Sequence, residues 1–163
     1  YNVFHTVLVT DANGTPVSDA EVTLGIYPVL YIKGAALVDA DGNVTLDPEI
    51  QSNYCFNEDI NRNGILDASE DLNSNNQLDP GNVITVDKLN LKTGSNGYAD
   101  FNVVYAIQYA FWVRAEITAR LTVAGSESQD VLYVNTGCEA ADAKKGICPL
   151  QNPFGIGPCD SPF

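Results

Sequence analysis

Trp112-Val113-Arg114-Ala115-Glu116-Ile117-Thr118-Ala119-Arg120-Leu121 is the stretch that decides the fold of this 163-residue chain. Arg114, Glu116, Thr118 and Arg120 alternate with Val113, Ala115, Ile117, Ala119 and Leu121. Successive side chains of a strand point to opposite faces, so a period of two builds one wet face and one apolar face. A helix would scatter the same residues around its circumference. Running from Phe111 to Val123, the segment predicts a strand of an antiparallel sheet with one solvated side. Trp112, at its start, is expected to anchor the core rather than to serve as a ligand platform.

The same reading extends in both directions. Val3 to Val9 alternates with apolar residues on both faces, as in a strand covered on both sides or near an edge partner. Asp11-Ala12-Asn13-Gly14-Thr15-Pro16 breaks it with hairpin chemistry. Val17 to Ile26 reads as the next strand, weakened at its end by Pro28, and Leu30 to Val38 as a short apolar one. A turn at 39–43 leads to Val44–Leu46. Val83 to Leu91, Phe101 to Tyr105 and Asp130 to Val134 complete the set, with turns expected at Gly94-Ser95-Asn96-Gly97 and Gly125-Ser126. No segment keeps a helical period. About seven short strands with regular turn signals predict an all-β sandwich. The expected organisation is a sandwich over 1–137, interrupted by an insertion at 49–82, followed by a Cys- and Pro-rich tail at 138–163 that looks pinned rather than packed.

The insertion holds the strongest local pattern. Asp59-Ile60-Asn61-Arg62-Asn63-Gly64-Ile65-Leu66-Asp67-Ala68-Ser69-Glu70 fits the twelve-residue calcium loop at every specified position. Ca²⁺ takes six to eight oxygen ligands. Asp59, Asn61 and Asn63 would supply side-chain oxygens, Ile65 its carbonyl, Asp67 a ninth-position oxygen directly or through water, and Glu70 a bidentate closure. Gly64 falls where the loop must turn sharply. The next twelve residues nearly repeat the pattern: Asp71, Asn73, Asn75, the carbonyl of Gln77, and Asp79. Asn76 replaces the glycine, and the twelfth position is Asn82, so the bidentate closure is missing there. The expectation is one complete site and a weaker or sharing second one. An acidic, Asn-rich solvated turn would explain the composition but not the spacing.

Charge narrows the partners. The net charge is −13, with 21 acids against 8 bases. Nucleic-acid binding and anionic membrane surfaces are disfavoured for want of basic patches. From Glu58 to Pro80 six acids face one base, a local charge of −5, so the segment should repel itself unless cations are bound. There is no apolar run long enough to span a membrane, and the chain opens directly into a strand-like segment rather than a signal peptide. The four cysteines Cys55, Cys138, Cys148 and Cys159 form no C-x-x-C, and the single histidine, His5, is remote, so zinc is poorly supported. Three pairings are open to them. Cys138–Cys148 with Cys55–Cys159 is favoured, in an oxidising compartment, over free buried thiols.

Two further segments carry a family resemblance. Thr10-Asp11-Ala12-Asn13-Gly14-Thr15-Pro16-Val17, followed by Ala20 and Val22-Thr23-Leu24, resembles the first hairpin of the bacterial immunoglobulin-like domains of the invasin/intimin kind. Thr93-Gly94-Ser95-Asn96-Gly97-Tyr98-Ala99-Asp100-Phe101 resembles a later hairpin of the same family. The likeness covers Phe4 to Val134 without the calcium segment, which, with the cysteine tail, is similar to a calcium-bearing variant in bacterial surface proteins. It implies an immunoglobulin-like antiparallel sandwich, secreted or on the cell surface, acting as a spacer or adhesive module with no catalytic residue.

Enzymatic activity is the weakest expectation. His5 lies between apolar neighbours, and calcium spacing already accounts for Asp59, Asp67 and Glu70. Three functions remain: a calcium-stiffened structural or adhesive module, a filament subunit whose first strand joins a neighbour, and a calcium-dependent carbohydrate-binding module using Tyr31, Tyr54 or Trp112. The corresponding partners are other surface-protein domains or copies of the chain, a glycan, or a host or cell-surface protein. The terminal tail suggests a terminal position or a free-standing subunit. The sequons at Asn13 and Asn43 read first as turn residues.

Overall fold

The structure is a computed structural model that describes residues 1–39, 41–123 and 126–162. The protein is all-β with antiparallel sheets, as the alternation of Val113–Leu121 predicts. Its elements are β1 (Asn2–Leu8), β2 (Glu21–Lys33), β3 (Ala36–Val38), β4 (Val44–Leu46), β5 (Asn53–Phe56), β6 (Ile84–Val86), β7 (Asn90–Lys92), β8 (Tyr98–Tyr105), β9 (Val113–Val123) and β10 (Ser126–Asn135), with a 3₁₀ turn at Ile107–Tyr109 and one helical turn, α1 (Ala140–Ala143). The chain divides into two compact units. One comprises Tyr1–Tyr27, Ile84–Val104 and Glu116–Val134; the other comprises Pro28–Val83, Tyr105–Ala115 and Asn135–Phe163.

In the first unit, β1, β8 and β6 follow one another in one sheet, and β10, β9 and the first half of β2 in another, with β7 also pairing β2. β1 pairs with β8 in antiparallel register, from Asn2 opposite Val104 to Leu8 opposite Tyr98. It is an edge strand and is not covered on both faces: Phe4 and Leu8 are exposed. His5 rests its ring on Phe101, with centroids 5.6 Å apart, and partial burial lowers its pKa. The two quoted hairpins meet at Val9, whose N–H donates to Gly97 O and whose carbonyl accepts from Val17. Gly97 is needed there: φ is +76° and an added Cβ would lie 2.8 Å from Val9 O. The turn expected at Gly125-Ser126 lies at Gly125 outside the described residues, and Ser126 opens β10.

β2 departs from expectation. The sequence reads as separate strands at Val17–Ile26 and Leu30–Val38, but one strand runs through Pro28 to Lys33. The reason is a change of partner: Glu21–Thr23 pairs with β7 and Leu30–Lys33 with β5, leaving Pro28 between the two ladders. Conversely, Val83–Leu91 is broken into β6 and β7 around Asp87, whose carboxylate accepts N–H bonds from the Asn102 backbone and amide, each 2.8 Å. β5 lies inside the insertion, where no strand was expected.

The second unit has a core of Tyr31, Ala36, Cys55, Trp112, Val113 and Phe154. Trp112 is fully buried, and its indole N–H donates to Pro149 O at 3.2 Å, which satisfies its one polar atom. Cys55–Cys159 and Cys138–Cys148 are the two disulfides. The C-terminal tail is packed as well as pinned. Phe154 lies 4.8 Å from the Tyr31 ring, Asn152 Nδ2 donates to Ile32 O, and the fully buried Lys33 donates its ammonium to the carbonyls of Pro158 and Ser161. These packing contacts and hydrogen bonds, and not the disulfides alone, hold it in place.

Candidate metal centre

The segment Asn57–Gly81 leaves β5 and forms two consecutive loops in the second unit. Both loops adopt the same backbone signature. At the fourth position φ is +59° for Arg62 and +59° for Ser74; at the sixth it is +76° for Gly64 and +60° for Asn76. Asn76 therefore does what the glycine does, as Asn enters the left-handed region more readily than most residues.

Side chains repeat along with the backbone. At the first position, Asp59 accepts the N–H groups of Asn63 and Gly64, both 2.9 Å, and Asp71 accepts those of Asn75 and Asn76 at 3.0 and 3.1 Å. At the third, Asn61 Oδ1 accepts from Asn63 and Asn73 Oδ1 from Asn75. At the fifth, Asn63 Oδ1 accepts the Ile65 N–H and Asn75 Oδ1 the Gln77 N–H, each 2.7 Å. The third, fifth and ninth side chains converge. The amides of Asn61 and Asn63 both meet Asp67 Oδ2, at 2.7 and 3.0 Å, and those of Asn73 and Asn75 both meet Asp79 Oδ2, at 2.8 Å each.

The twelfth position separates the loops. In the first, Glu70 takes the expected place: its N–H donates to Asp67 O, its Oε2 accepts the Asp67 N–H and its Oε1 the Asn61 N–H. In the second, Asn82 is exposed and Glu58 stands in for it. The Glu58 N–H donates to Asp79 O at 2.8 Å, its Oε2 accepts the Asp79 N–H at 3.0 Å, and its Oε1 accepts the N–H groups of Asn73 and Leu72 at 3.2 and 3.1 Å. Among the described residues Asn82 makes no such contacts; Glu58, which precedes the first loop, makes in the second loop the contacts that Glu70 makes in the first. One signal in the sequence points to it, since Glu58 lies one period of twelve before Glu70.

The two loops also differ in burial. In the first, Asp59 and Glu70 are buried but Asn61, Asn63 and Asp67 are exposed; in the second, Asn73 and Asp79 are buried together with Glu58, which is completely so. Burial raises the Glu58 pKa, and N–H bonds from Asp79, Asn73 and Leu72 oppose that shift. Tyr31 is pushed up to about 12, chiefly by burial; its hydroxyl bonds the Asn73 side chain, and the charges of Glu58 and Asp79 act in the same direction as burial. Tyr31 thereby connects the core to the second loop.

Carboxylate and amide oxygens are the side-chain acceptors here, a donor set suited to a hard cation rather than a soft one. Among the described residues no three Asp, Glu, His or Cys side chains gather into a group that could hold a metal ion. Each loop instead mixes acids with Asn. To add oxygen donors at Asp67 and Asp79, the neighbouring amides must present Oδ1 in place of Nδ2, a half-turn of a soft terminal torsion. No protein-family model matches the chain, and neither a curated protein nor a solved structure does.

Proposed function

We propose that this chain is an extracellular structural or adhesive module of the immunoglobulin-like kind whose Asn57–Gly81 segment is made rigid by two calcium ions. The observation that carries the reading is the repeat of one loop geometry in two consecutive twelve-residue windows, with Asp, Asn, Asn and Asp at the same four places. Asp59, Asn61, Asn63, the carbonyl of Ile65, Asp67 and Glu70 would hold the first ion. Asp71, Asn73, Asn75, the carbonyl of Gln77 and Asp79 would contribute to the second. Two bound Ca²⁺ would bring a segment of charge −5 to −1 and cross-link its turns; they supply no chemistry beyond that. The two disulfides support an oxidising compartment.

Calcium removal is the test. A ligand that binds only the folded chain stabilises it by about 2.7 kcal/mol at a hundredfold excess over its Kd. Chelation should lower the melting temperature and open 57–81 to protease while leaving the disulfides intact. Equal melting and equal cleavage with calcium and with chelator would contradict the reading.

A calcium-dependent carbohydrate-binding module is the second reading. A groove in the second unit is lined by Asn75, Gln77, Asp79, Gln151 and Asn152, amides and an acid suited to hydroxyl groups. Tyr31 and Trp112 are buried and offer no stacking face, which leaves Tyr54, exposed on β5, from the three aromatic candidates. A glycan array with and without chelator separates the two readings. The filament reading has less support, because β1 finds its ladder partner in β8 of the same chain.

A further inference from the structure

We infer that Glu58 is the closing calcium ligand of the second loop, so that the two sites are interlocked through an exchange of glutamates; this rests on the calcium reading above. The positions carry the argument. Glu58 immediately precedes Asp59, the first ligand of the first loop, and Glu70 immediately precedes Asp71, the first ligand of the second. Glu70 closes the loop that it ends. Glu58 closes the loop that begins thirteen residues after it, through three contacts that match those of Glu70 atom for atom: its own N–H to the ninth carbonyl, Oε2 to the ninth N–H, and Oε1 to the third N–H.

Burial is the independent observation. Glu58 is 0% exposed and Glu70 3%, whereas Asn82, which the twelve-residue window would use, is exposed. A fully buried carboxylate is costly unless a cation or hydrogen bonds compensate it. Glu58 is held beside Asn73 and Asp79, where a bidentate twelfth ligand belongs in this loop type. The second site then has its glutamate, and it cannot assemble until the chain on both sides of the first loop is in place. Filling of the two sites should be cooperative.

The test uses the full oxidised chain and calcium alone. With glutamate side-chain carboxyl carbons labelled with ¹³C, a calcium titration should move two of the seven signals, those of Glu58 and Glu70. By calorimetry, Glu58→Gln and Glu70→Gln should each reduce two binding events to one, and Asn82→Gln should leave two. If Glu58→Gln fails to fold, the labelled unmodified chain still decides. Two binding events with only the Glu70 signal moving, or two retained in folded Glu58→Gln, would overturn this inference and leave the calcium reading standing. No binding by the unmodified chain would overturn both.

Discussion

The two loops of the Asn57–Gly81 segment share a backbone and most of its hydrogen bonds, and differ in burial and in where the glutamate that meets their ninth position lies in the chain. The first has a complete ligand sequence, Asp59 to Glu70, and is exposed across Asn61, Asn63 and Asp67. The second lacks its own glutamate yet is the more buried one: Asn73 meets the core through Tyr31, and Glu58 meets its third and ninth positions. A loop that satisfies a motif can thus depend on an ion for its order, whereas one that departs from it can be braced by the fold. The first loop should respond more to calcium, and the second more to mutations of its protein supports.

The largest effect should come from the long disulfide. Cys55 lies in β5, two residues before the segment and three before Glu58, and its bridge to Cys159 spans 104 residues. In the chain-entropy model a loop of that size contributes about 4–5 kcal/mol. The double substitution Cys55→Ala with Cys159→Ala should lose stability on that scale in chemical denaturation, with Asp71–Gly81 becoming exchangeable ahead of Asp59–Glu70 by hydrogen exchange. The opposite order would break the comparison.

A smaller contrast separates the two glutamates when chelator is present. Glu58→Ala strands the N–H groups of Asn73 and Asp79 in buried surroundings, an expected cost of about 3 kcal/mol. Glu70→Ala frees the N–H groups of Asn61 and Asp67 next to solvent, where water replaces the carboxylate, for about 1 kcal/mol. Urea denaturation of both variants without calcium checks the ranking; equal costs would mean that the second loop gains nothing from its burial.

Much of this was legible in the sequence where the signal was local. The period of two in Val113–Leu121 appears as β9, the hairpin at Asp11–Thr15 forms around the Asp11 carboxylate, and both cysteine pairs join as favoured. The failures share one cause, partners distant in the chain. Pro28 reads as the weakened end of a strand because the change of partner from β7 to β5 is invisible from within β2. The tail with Phe154 and Asn152 reads as pinned rather than packed because Tyr31 and Ile32 lie more than 100 residues away. Glu58 fell one residue outside the motif window, and its partners are the N–H groups of Leu72, Asn73 and Asp79, which carry no side-chain signature. Tyr31 offered itself as a sugar platform because nothing nearby in sequence shows that it is buried.

The most direct test of the central claim is the number of calcium ions bound by the unmodified, metal-stripped chain, measured by isothermal titration at low ionic strength. Two ions per chain, with the binding heat abolished by excess chelator, is the result expected from two loops of one geometry. No calcium bound at millimolar concentration would contradict the account and reduce the repeated Asp and Asn positions to turn-forming residues.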